Sequence, residues 1–160
     1  MASLPVISRD LNDYGYQTEV RVRLSETDAV GIVFFGSFAS YMDVGRMDYL
    51  GYLGVTPKEG RIPGLIPGAV VAQVANFHSP ARYNDALVIN VRMARIGRTS
   101  YTLHFLITAK RSRQVVSTGA LTLAWLDDDF QPVQVPEEFR ETVRAFEGDL
   151  LDEWREDDGG

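Results

Sequence analysis

From Thr18 to Leu24 the chain alternates, with Thr18, Val20, Val22 and Leu24 on one side and Glu19, Arg21 and Arg23 on the other. That period of two predicts a half-buried strand. The period then changes. Phe38, Tyr41, Met42, Gly45, Tyr49, Leu50 and Leu53 recur at steps of three and four, one apolar face of a long helix. Ser37 is the expected N-cap and Gly54 the expected stop. Gly45 lies in the apolar stripe at a cost in helix stability, which points to close approach of another backbone there. Residues 55–68 hold three prolines and three glycines and read as an irregular loop. Four strand-like runs follow, at 69–78, 86–96, 100–110 and 114–126. In the last, large Val115, Leu121, Leu123 and Trp125 share one parity and small Thr118, Ala120, Thr122 and Ala124 the other; the small face is expected to lie under the helix. Pro136 opens a final helix with Phe139, Val143, Phe146, Leu150 and Trp154 on one side. One long helix, a five-stranded antiparallel sheet and a C-terminal helix make an α+β domain. An exposed sheet edge is expected to pair with another copy.

Size and charge narrow the function. The 160 residues are expected to form one domain, with 1–16 an N-terminal arm and 156–160 a frayed acidic tail. No apolar run approaches the ~18 residues of a membrane span, and no basic, apolar leader begins the chain, so a cytoplasmic protein is expected. The absence of cysteine excludes disulfides, thiolate metal sites and cysteine nucleophiles. A net charge of −6 argues against nucleic acid as a partner. Residues 82–113 nevertheless carry seven basic residues against Asp85 alone, while 127–160 carry 13 acids against three bases. The basic middle is either a landing site for a small polyanion or a set of solvated arginines.

Motifs for a serine triad, a P-loop, a dinucleotide fold or a zinc hydrolase are missing, and no metal is expected. His78 and His104 read as structural strand residues. What remains is Ser25 to Gly36, where a carboxylate, Asp28, precedes Gly31 and the run Ile32-Val33-Phe34-Phe35. So apolar a loop is expected to be buried. Asp28 is then either a functional acid beside a helix N-terminus, whose free N–H groups can hold an oxyanion, or a simple turn cap.

The stretch Asp28-Ala29-Val30-Gly31-Ile32-Val33-Phe34-Phe35, followed by Phe38, Tyr41, Met42, Arg46 and Tyr49-Leu50, resembles the signature of the 4-hydroxybenzoyl-CoA thioesterase family of hotdog-fold proteins. Phe77 to Leu87, with its Pro80-Ala81 turn and Asp85, resembles the family's second landmark. The similarity covers roughly residues 17 to 145. It implies a hotdog fold, in which the sheet wraps the long helix. It also implies an acyl-CoA thioesterase that works as a homodimer or a dimer-of-dimers tetramer, with no cofactor, since the coenzyme A thioester is the substrate. Asp28 takes the catalytic position as nucleophile or general base. Phe35 supplies a backbone N–H to the thioester carbonyl, and Gly31 keeps the turn tight. Many bacterial relatives have a histidine at the Phe35 position, so no imidazole assists Asp28 from there. Arg98, Thr99 and Ser100, with Arg95 and Arg82, are the expected holders of the nucleotide phosphates; Phe34, Phe38 and Ile66 shape the acyl pocket. The alternative is a non-catalytic module that binds acyl-CoA or an acyl carrier. A hotdog hydratase is less favoured because neither histidine sits in a suitable motif, and a plain dimeric scaffold ranks below the binding readings.

Overall fold

The computed structural model describes residues 3–55 and 68–158. Its elements are β1 (Tyr16–Arg21), α1 (Ser37–Tyr52), β2 (Ala69–Phe77), β3 (Ala86–Ile96), β4 (Ser100–Ala109), β5 (Val115–Ala124), α2 (Glu137–Glu147) and the short β6 (Asp152–Glu153). The sheet runs β1-β3-β4-β5-β2, antiparallel throughout, so β1 and β2 are its edges. α1 packs against β1, β3 and β4. This is the hotdog arrangement, and the expected strands two to five recur within two residues at each end.

The core lies between α1 and one face of the sheet. Phe38, Tyr41, Met42, Tyr49 and Leu50 of α1 are buried against Leu87, Ile89, Val91, Leu103 and Phe105. Gly45 is where helix and sheet come closest: a Cβ there would stand 2.8 Å from Ile89 Cγ2 and 3.0 Å from Val91 Cγ2. The close approach anticipated from the sequence is thus to side chains of β3, not to another backbone. At Gly119 of β5 an added Cβ would meet the Met42 sulfur and the Val74 carbonyl, so the glycine makes room for a helix side chain.

Several expectations need correction. The small-residue face of β5 points away from α1, because Gly119, Leu121 and Leu123 are the positions that meet the helix and core. β1 is Tyr16–Arg21 rather than 18–24: Val22 stays buried, but the chain then turns through a 3-10 segment, Leu24–Glu26, which leaves Leu24 exposed. Ser37 is the first helical residue and does not cap; its hydroxyl donates to the Glu26 carbonyl at 3.0 Å, tying the start of α1 to the preceding loop. α2 stops at Gly148, whose φ of +64° suits glycine. Leu150 and Trp154 therefore leave the helix, and β6 adds a sixth strand in parallel to the end of β3. Of the tail expected to fray, Glu156–Asp158 forms a 3-10 turn.

Buried Arg140 ties these late segments together. Only 3 % exposed, it donates to the carbonyls of Val135 (3.2 Å), Arg98 and Trp154 (both 3.4 Å) and Gly97, and lies 3.6 Å from Glu153. The β3–β4 turn, the entry to α2 and β6 thus share one guanidinium.

Candidate active site

The loop between β1 and α1 is a compact, hydrogen-bonded unit. Phe34 N–H donates to the Glu26 carbonyl at 2.9 Å, Asp28 N–H to that of Ile32 at 2.9 Å, and Gly31 N–H to that of Asp28 at 3.0 Å. Gly31 sits at φ +87°, a region that favours glycine, so the tight turn expected there is present. The Glu26 carboxylate accepts from Arg23 N–H (2.7 Å) and from the Tyr41 hydroxyl (3.2 Å), which anchors the loop to α1. Val33 N–H donates to the Ala81 carbonyl at 2.8 Å. The two segments singled out from the sequence are therefore bonded to each other.

Asp28 Oδ1 accepts from Val30 N–H at 2.9 Å and Ile32 N–H at 3.4 Å. One carboxylate oxygen does what a turn-capping aspartate does. Oδ2 makes no hydrogen bond to any described residue, and the same turn that holds Oδ1 fixes its direction. Asp28 borders a cavity of about 570 Å³ together with Phe35, Phe38, Phe77 and His78. At the start of α1, the N–H groups of Phe35 and Gly36 have no partner among the described residues. The N–H groups of Ser37, Phe38 and Ala39 fold back onto the carbonyls of Phe34, Phe35 and Gly36. A half-committed carboxylate, two open N–H donors near a helix N-terminus and aromatic walls can hold and polarise a carbonyl.

The loop is not buried in the single chain, contrary to expectation. Val33 is buried, but Val30 is 78 % and Phe35 67 % exposed, and Phe34 and Phe77 are also exposed. The physical reason is that only Val33 points at the sheet; its neighbours flank the free edge strand β2, itself exposed at Val70 and Val71.

The other expected residues divide by position. Phe34 stacks on Phe35 with ring centroids 4.4 Å apart. Arg82 reaches the Asp28 turn, its Nη1 lying 4.0 Å from where a Cβ on Gly31 would stand. Arg98, Thr99 and Ser100 form the β3–β4 turn, at the far end of an 11-residue strand from the Ala81 contact. At ~3.3 Å per residue that is roughly 33 Å away, so one chain does not bring them beside Asp28. Arg95 lies on that distant end too, 3.5 Å from Asp152. Ile66 falls outside the described residues.

His78 borders the cavity with Asp28, although its strand position had suggested a structural role only. Arg9 of the arm donates to Nδ1 at 3.1 Å, leaving Nε2–H to donate to Thr118 Oγ1 at 3.0 Å. Partial burial, then the Arg9 charge, lower its pKa. Among the described residues no group of three or more His, Cys, Asp or Glu side chains is placed to hold a metal, and no helix is long and apolar enough to cross a membrane.

Comparison with known proteins agrees with the fold. The family model described as Thioesterase superfamily matches residues 30–116, more than half of the chain. The Arabidopsis thaliana acyl-acyl carrier protein thioesterases ATL3 and ATL2, both chloroplastic, are 29 % and 24 % identical over 135 and 133 residues, spanning 82 % of this chain and 68 % and 70 % of theirs. A Thermus thermophilus thioesterase solved with coenzyme A and zinc superposes with a TM-score of 0.73 at 27 % identity, covering 85 % of this chain and 96 % of that one. The Synechocystis 1,4-dihydroxy-2-naphthoyl-CoA thioesterase Slr0204 superposes at 0.70 with 16 % identity over 80 % and 94 % of the two chains, a likeness of fold.

Proposed function

Because the chain belongs to the thioesterase superfamily, we propose that it hydrolyses an acyl-coenzyme A thioester with Asp28 as its catalytic carboxylate. The observation that carries this reading is the state of Asp28: one oxygen is locked into the turn, and the other has no partner among the described residues and borders an apolar cavity together with Phe35. In the general-base form, Oδ2 takes a proton from a water whose oxygen attacks the thioester carbonyl carbon. The oxyanion is held by the Phe35 N–H; the C–S bond then breaks, and the departing thiolate takes the proton back from Asp28. In the nucleophilic form, Oδ2 itself attacks, the thiolate leaves, and water cleaves the resulting anhydride. Either route suits a good leaving group, and neither calls for a cofactor.

The exposed aromatic and aliphatic residues around the cavity support a homodimer joined along β2. Pairing the free β2 edges of two copies would cover Phe77, Val70 and Val71 and close the open side of the cavity. A second copy would also offer the basic β3–β4 turn, with Arg98, that one chain holds too far from Asp28. The names of the Arabidopsis relatives make an acyl carrier protein thioester the second substrate to try. The test is a thiol-release screen over aryl-, short- and long-chain acyl-CoAs and acyl carrier proteins. Release from at least one class is expected. Tight binding of acyl-CoA without turnover anywhere in the panel would favour the non-catalytic alternative.

A further inference from the structure

The sheet face turned away from α1 is floored by small side chains and carries Arg92, Arg95 and His104. Across four strands, Arg92, His104, Ala120 and Val74 are directly paired neighbours, and beside them Thr102, Thr122 and Ala72 form a second row. Side chains this short leave a cavity of about 470 Å³, walled by Pro5 and Val6 of the arm and by Leu150. That volume lies within the ~300–1,000 Å³ of small-molecule sites.

Two polar groups in this cavity lack partners. His104 is only 9 % exposed and makes no hydrogen bond to any described residue. Burial, then the Arg92 charge, push its pKa down to about 4, so the ring is neutral at pH 7, with one nitrogen to donate and one to accept. Arg92 has a buried Nε without a partner and forms no ion pair with a described residue. The neighbouring Arg95 is 3.5 Å from Asp152. Asp152 is thus taken by Arg95, while Arg92 feels only the longer-range charge of Glu147, whose carboxylate already accepts from the Tyr49 hydroxyl and the Met93 N–H. Thr102 and Thr122 bond each other at 2.9 Å. Buried polar groups in native proteins are otherwise nearly always satisfied, which makes the Arg92 Nε an exception.

The geometry points to a second binding site on this face, for a small organic carboxylate with a flat apolar body. The carboxylate would bridge the Arg92 guanidinium and the His104 N–H, and the body would lie on the methyl floor of Ala120, Val74 and Ala72. A charge-assisted pair gives such a site its preference for an anion, and a floor without long side chains admits a planar group. The site shares no residue with the Asp28 cavity, and its occupancy does not depend on whether Asp28 is catalytic.

The two histidines of the chain make the test direct, because His78 reports on the Asp28 cavity and His104 on the outer face. Imidazole proton–nitrogen spectra of the full, labelled chain, assigned with His104→Gln, would be followed while benzoate or its neutral analogue benzamide is added. Benzoate is expected to move the His104 signals to saturation, benzamide to leave them in place, and Arg92→Gln to weaken benzoate about ten-fold or more. Asp28→Asn should leave this binding unchanged, which separates the site from the hydrolytic reading. A response confined to His78, an equal response to benzamide, or unchanged affinity in Arg92→Gln would overturn the proposal. So would a His104 that stays silent at every benzoate concentration.

Discussion

Replacing Gly45 by alanine sets two effects against each other. In a helix interior alanine is better than glycine by about 1 kcal/mol, so local propensity alone predicts a more stable protein. Packing predicts the reverse. The new Cβ would stand 2.8 Å from Ile89 Cγ2, 3.0 Å from Val91 Cγ2 and 3.3 Å from Phe105 Cε1. All three neighbours are fully buried, and the two nearest are β-branched, with little freedom to rotate away. Overpacking of this kind costs about 1–3 kcal/mol. With two such contacts from rigid residues the upper part of that range applies, and a net loss of about 1–2 kcal/mol remains after the propensity gain. For a chain of this size each kcal/mol lowers Tm by roughly 2–4 °C. The assay is urea unfolding at a fixed protomer concentration, because dimerisation would make stability depend on concentration. Ile89→Ala removes the nearest methyl, so on that background Gly45→Ala should become neutral or stabilising. A higher urea midpoint for Gly45→Ala alone would refute the reasoning.

Arg140→Met should cost about 1–3 kcal/mol in urea unfolding, because it strands the carbonyls of Gly97 and Val135, while Glu153 keeps its two bonds to Arg144. An unchanged midpoint would mean the guanidinium is dispensable. His104 has a folded pKa near 4, against 6.5 when unfolded. The unfolded chain therefore binds the extra proton first, and stability falls as pH drops from about 6.5 towards 4. His104→Gln should flatten that fall by up to about 3 kcal/mol, read as urea midpoints against pH. Val71→Lys places a charge on the free β2 edge, where Val71 is 62 % exposed. Sedimentation should show a shift from dimer to monomer together with loss of thiol release, and a fully active dimer would contradict the proposed interface.

The regular elements were legible wherever one periodicity persisted. The stripe from Phe38 to Leu50 specifies α1, and the alternations in β3 and β4 specify those strands, because burial on one face imposes the period. Legibility failed where tertiary context decides. Nothing local says which parity of β5 meets the helix; the fit of Met42 over Gly119 decides it. Gly148 ends α2 although the apolar spacing runs on to Trp154, because the chain returns to pair with β3. The Asp28 turn was readable from its glycine and apolar run, while the exposure of Phe35 was not, since the sequence pattern does not distinguish a residue covered by its own chain from one left for a partner. His78 reads from the sequence as a structural strand residue only, because its place beside Asp28 depends on the long-range bond between Val33 and Ala81.

The account rests on the free oxygen of Asp28. The most direct measurement is kcat for thiol release by Asp28→Asn on the best acyl-CoA of the panel, with acyl-CoA affinity measured on the same preparation. Asparagine can keep the Oδ1 bonds to Val30 and Ile32 but neither attacks a carbonyl nor accepts a proton from water as a carboxylate does. The predicted result is a loss of at least ~100-fold in kcat with acyl-CoA binding retained. Full turnover in Asp28→Asn would contradict the account and leave Asp28 as the cap of its turn.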